Sequence, residues 1–100
     1  MSPIFRSELD IKSMISILRI KMPFIKWRMG DSEYDGFYVL GRVRNGIKIK
    51  ITEEDEPGIY HLGIYFYGAT HAFSQARKLK IDAVLRHRIM KAIAAKEYIH

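Results

Sequence analysis

The stretch at residues 36–52, GFYVLGRVRNGIKIKIT, leaves this chain few folds to choose from. Two alternating apolar–polar runs flank Arg44, Asn45 and Gly46, a combination that marks a β-hairpin. A two-residue turn at Asn45 and Gly46 would set Val43 opposite Lys48 and place Val39 on the wrong face from Ile49. A three-residue turn with Gly46 left-handed pairs Val43 with Ile47 and Val39 with Ile51. A one-residue slip sends every side chain to the opposite face, so the apolar pattern selects the three-residue turn with its glycine bulge. One face then carries Phe37, Val39, Val43, Ile47, Ile49 and Ile51. The other carries Tyr38, Leu40, Arg42, Lys48, Lys50 and Thr52. The first builds a core; the second is a basic, partly aromatic surface.

The rest of the chain supplies cover for that core. Ile11, Met14, Ile15 and Leu18 form one helical stripe, with Ser7 and Asp10 imitating a capping box and Pro23 forcing an end, so a helix is expected over 8–20. Residues 24–29 alternate, with Ile25, Trp27 and Met29 on one side and Lys26 and Arg28 on the other, which predicts a strand. Residues 59–67 predict another, with Tyr60, Leu62, Ile64 and Phe66 facing the core. Residues 70–97 read as helical in two phases. Ala72, Ala76, Leu79 and Ala83 define a first face, and Leu85, Ile89, Ala92 and Ile93 a second one, rotated well away. Either the helix breaks near Asp82 or one long helix meets two surfaces. The expected architecture is a single two-layer α+β domain over residues 1–100: an antiparallel four-stranded meander covered by an N-terminal helix and a long or broken C-terminal helix.

One hundred residues suffice for one core without staples, and there is no cysteine to form one. No apolar run reaches membrane-spanning length and the N-terminus carries no uninterrupted apolar region, so the expectation is a cytoplasmic protein without membrane contact. The net charge of +6 is unevenly spread: residues 1–68 carry +1 and residues 69–100 carry +5. Seven acids collect in two loops, DSEYD at 31–35 and EEDE at 53–56. A basic C-terminal segment beside acidic loops suits an anionic partner.

Chemical signatures are scarce. Asp31, Glu33, Asp35 and Gly36 imitate the opening of a calcium loop, but its twelfth position is Arg42, where a bidentate carboxylate belongs. The four histidines have no metal-ligand spacing, and there is neither a nucleophile elbow nor a phosphate-cradling glycine loop. The expectation is a non-enzymatic binding module without cofactor or metal, engaging nucleic acid or a nucleoprotein complex. Arg42, Lys48 and Lys50 would act on the sheet, and Arg77, Lys78, Arg86, Arg88 and Lys91 on the last helix. The helix set should dominate, because the +5 segment makes the larger field. The helix–strand–strand–strand–helix order resembles double-stranded-RNA-binding domains in topology, without their lysine cluster at the start of the last helix and with one strand more. The layout also suits compact inhibitors and immunity proteins, phage-encoded anti-CRISPRs among them. The alternative is therefore a protein-binding inhibitor that blocks a larger target, with Leu85, Ile89 and Ile93 available for a homodimer or partner contact.

Overall fold

The hairpin register organises the sheet. In the computed structural model, which describes residues 3–34 and 36–97, the elements run β1 (Ile4–Arg6), α1 (Ile11–Lys21), β2 (Lys26–Ser32), β3 (Gly36–Val43), β4 (Ile47–Glu53), β5 (Ile59–Phe66), α2 (Gln75–Ala92) and β6 (Lys96–Glu97). A 3-10 turn at Gly68–Ala72 precedes α2. Every strand pair is antiparallel, in the order β2-β3-β4-β5-β1-β6. Val43 pairs with Ile47 and Val39 with Ile51, the register of the three-residue turn. Gly46 has φ 106° and its N–H reaches the Val43 carbonyl at 3.4 Å, while Asn45 also takes a positive φ of 82°. A side chain at position 46 would collide with the Tyr67 carbonyl oxygen. The Tyr67 N–H and the Thr70 hydroxyl both donate to the Gly46 carbonyl, so the turn is held against the end of β5.

Both helices lie on one face of the sheet. Met14, Ile15 and Leu18 of α1 and Leu85 and Ile89 of α2 join Trp27, Val39, Ile49, Ile51, Tyr60 and Leu62 in one buried cluster. Trp27 is 5% exposed and donates its indole N–H to the Met22 carbonyl at 3.0 Å. Pro23 does end α1: Met22 has left helical geometry, with φ −133° and ψ 64°.

Several expectations need correction. The sheet is larger than a four-stranded meander, because β1 and the two-residue β6 extend it beyond β5. These additions also carry the fold further from the double-stranded-RNA-binding layout. Helix α1 begins at Ile11 rather than residue 8, and Asp10 is its cap, accepting from the Ser13 N–H at 2.8 Å. That hydrogen bond, stronger to the charged carboxylate than to the neutral acid, holds the Asp10 pKa below its ordinary value. Ser7 instead donates its hydroxyl to the Ile93 carbonyl at 3.0 Å, tying the start of α1 to the end of α2. Because α1 starts late, one end of the helix-side face stays open, and Met29, expected in the core, is exposed along with Phe37. The last helix is continuous through Asp82 but spans only Gln75–Ala92, with Ser74 as its cap, and the chain is extended again by Lys96. Its second-half face is the buried one. Leu85, Ile89 and Ile93 are 8%, 0% and 0% exposed, so they belong to the core and present no dimer surface. The first-half face meets no described element: Ala72, Ala76, Leu79 and Ala83 are exposed.

Candidate nucleic-acid interface

Paired residues share a face, so the register assigns every strand side chain to one side of the sheet. Lys26 stands across from Arg42, and Arg42 across from Lys48, which in turn faces Tyr65. The next row holds Arg28, Leu40, Lys50 and Gly63, and the one after it Gly30, Tyr38, Thr52 and His61. At the far edge Arg6 pairs with Ile59 and Lys96, on this same face. Every cation in a paired strand position therefore points away from the helices. Asp31, beside Phe37, and Glu53, beside Tyr60, point toward them. No described element covers the cationic face.

The aromatics of this face lie flat on it. Tyr38 spreads its ring over Gly30, and Tyr65 lies over Gly63, where in each case a β-carbon would collide with the ring. The Lys50 ammonium sits 4.5 Å from the centroid of the Tyr38 ring and that of Lys48 5.4 Å from the Tyr65 ring. The two glycines thus make room for rings whose outer faces attract positive and planar groups. Leu40 is buried on this side although no helix reaches it, flanked by the long side chains of Arg28 and Lys50.

The helical cations are differently employed, and Arg88 reaches Phe24 beside the sheet cations Lys26 and Arg42. Arg86 is buried. Its Nη1 donates to the Leu62 carbonyl at 2.8 Å, and its Nε and Nη2 donate to the two carboxylate oxygens of Asp82 at 3.1 and 3.2 Å. The Leu62 N–H donates to the Pro3 carbonyl at 2.8 Å, but proline has no N–H to return, so the guanidinium satisfies a carbonyl that the sheet leaves over. Arg19 does the same for β2, donating to the Trp27 carbonyl at 3.1 Å. Arg77 packs over Phe73 at 3.8 Å and Arg88 over Phe24 at 5.2 Å; Lys78 is half-buried and Lys91 exposed. The eight residues singled out in the sequence thus divide between the sheet and the last helix, and Arg86 belongs to the packing of the fold.

The acids collect elsewhere. The turns after β2 and β4 and the connection into α1 carry Glu33, Glu54, Asp55, Glu56, Glu8 and Asp10, all at the end of the sheet opposite the Arg44 turn. There the uncovered Met29 and Phe37, with Ile11, Asp10, Glu53 and Tyr60, line a cleft of about 410 Å³. Tyr60 donates its hydroxyl to the Leu9 carbonyl at 2.8 Å, and burial, with the Glu53 carboxylate nearby, pushes its pKa up to about 12. The Asp31–Gly36 segment closes the β2–β3 hairpin; Asp35 lies outside the described residues.

Sequence reasoning found the sheet cations but missed Arg6 and Lys96, which join the face only through β1 and β6. It also missed Phe24, which lies beside Lys26, Arg42 and Arg44 at one corner. No helix among the described residues is long and apolar enough to cross a membrane. No protein-family model, curated protein or solved structure was found to match the chain.

Proposed function

We propose that the open face of the sheet binds nucleic acid, without catalysing a reaction. The observation that carries this reading is the separation of sign across the sheet: Lys26, Arg28, Arg42, Lys48 and Lys50 converge on one side while Asp31 and Glu53 turn to the other. Like charges directly across a ladder destabilise it, and the row Lys26–Arg42–Lys48 contains two such pairs with no carboxylate in the row. A polyanion lying over the row turns that repulsion into binding energy and releases counterions. Tyr38 and Tyr65 add flat rings of the kind on which bases stack. Weight moves from the last helix to the sheet because Arg86 is buried and held by Asp82 and the Leu62 carbonyl.

The test sets two triple variants against each other in titrations of labelled oligonucleotides at increasing salt. Reversing Arg42, Lys48 and Lys50 to Glu should abolish binding. Reversing Arg77, Lys78 and Lys91 to Glu should leave affinity within a few-fold. The wild type should show a log–log salt slope of about −3, as for four or five phosphate contacts on a single strand. Loss of binding in the helix variant alone, or no binding of any nucleic acid at low salt, would overturn the reading.

The second reading, a protein-binding inhibitor, draws on the exposed first-half face of α2, where Leu79 is 61% exposed. Capture of a protein target with little salt dependence, lost on Leu79→Lys, would support it.

A further inference from the structure

We infer that the nucleic acid this face takes is single-stranded, and that the corner formed by Phe24, Lys26, Arg42, Val43 and Arg44 is a subsite for one nucleotide, phosphate on the cations and base on the Phe24 ring. This rests on the reading of the open face as a nucleic-acid interface and specifies what that face recognises.

The corner is a cavity of about 430 Å³ at the end of the sheet where β2 begins and the β3–β4 turn closes. Three of its five lining residues are cations, and the other two are apolar. Lys26 and Arg42 are directly paired across β2 and β3, and Arg44 stands in the β3–β4 turn, so two strands and a turn each bring a cation to the same cavity. Repulsion among them is relieved by a group that accepts hydrogen bonds from several directions with concentrated negative charge, which describes a phosphate. Phe24 is 52% exposed, and the Arg88 guanidinium lies 5.2 Å from its centroid. An exposed ring beside a phosphate site is a stacking platform, worth about tenfold or more in affinity per base.

The shape of the face decides between single and double strands. A broad sheet cannot enter the major groove as a helix or a two-stranded ribbon does, so a duplex would touch it along one ridge of phosphates and leave the tyrosines idle. Ladder spacing puts the Tyr38 ring, over β2, about 16 Å from the Tyr65 ring, over β5. A strand with its bases splayed out can reach both rings and the Phe24 corner while its phosphates follow Arg28 and Lys50 between them. Stacked bases, about 3.4 Å apart, cannot reach them with neighbouring members.

Fluorescence anisotropy with a labelled 12-nucleotide oligo(dT), the corresponding oligo-uridine, and a 12-base-pair duplex, each at 50 mM and 150 mM salt, tests this. The expected result is binding of either single strand at least tenfold tighter than of the duplex. Phe24→Leu should weaken single-strand binding about tenfold at unchanged salt slope, whereas Arg44→Ala should weaken it and reduce the slope by nearly one unit. Tyr65→Leu is the companion to Phe24→Leu and should weaken binding comparably; both positions are exposed, and thermal melts of each variant establish folding. Equal or tighter binding of the duplex would overturn this inference and leave the interface reading intact, as would a Phe24→Leu variant that binds single strands as the wild type does. Absence of binding to all three probes would overturn the interface reading itself.

Discussion

The two faces of this sheet are made from the same strands, residue by residue in alternation, yet they obey different rules. The helix-side face is apolar through its middle, with Val39, Ile49, Ile51, Tyr60 and Leu62 buried under α1 and α2. Where charge reaches the protein interior it is matched group for group, as with Arg86, Asp82 and the Leu62 carbonyl. The open face has cations set across from cations, with tyrosines laid flat over glycines between them. One face is arranged to lower the free energy of the isolated chain. The other sets like charges directly across from one another in the row Lys26–Arg42–Lys48, where no carboxylate stands.

Substitutions on the two faces should therefore move stability and binding in different proportions. The largest effect belongs to the helix side. Trp27→Ala removes a buried indole and its hydrogen bond to the Met22 carbonyl, and should lower unfolding free energy by about 3–5 kcal/mol in urea denaturation followed by circular dichroism. A loss under 1 kcal/mol would mean that this face is not the organising core. Arg86→Met comes next. It leaves the Leu62 carbonyl and the Asp82 carboxylate without their partner, and should destabilise by about 2 kcal/mol. Oligonucleotide affinity and salt slope should stay unchanged; a weaker affinity at unchanged stability would put Arg86 in the interface after all. The smallest effect has the opposite sign. Arg42→Thr removes the middle cation of the row and substitutes a residue that suits strands, so stability should rise by about 0.5 kcal/mol at low salt. The gain should shrink as salt screens the pair interactions, while binding weakens and the salt slope loses about one unit. Stability that falls instead would show that the row is not repulsive, and the contrast between the faces would lose its basis.

How much of this was legible beforehand follows from the range of each interaction. Alternation with period two, joined to a turn whose length must keep Val43 facing Ile47, is local information, and it specified the hairpin and both of its faces correctly. Trp27 follows by the same alternation. Met29 does not, because its exposure depends on where α1 starts, and that is set by the Asp10 cap after Ser7 has been drawn to the Ile93 carbonyl, 86 residues along the chain. Strands of three and two residues show no periodicity, so β1 and β6 were invisible, and Arg6 and Lys96 with them. In α2 the two apolar phases were plain, but which one would be buried was not.

The chain's own alternation, turn chemistry and capping residues therefore determined the elements from α1 to β5, the hairpin register and the basic character of one sheet face, since each needs only neighbours along a strand or helix. Tertiary structure decided which charges were free to form a surface. Arg86 and Arg88 are two residues apart on one helix, yet one is buried against a strand edge and the other packs on Phe24. The difference arises because Pro3, opposite Leu62, accepts from its N–H but has no N–H to return, and the carbonyl so left over takes the nearest donor that can reach it.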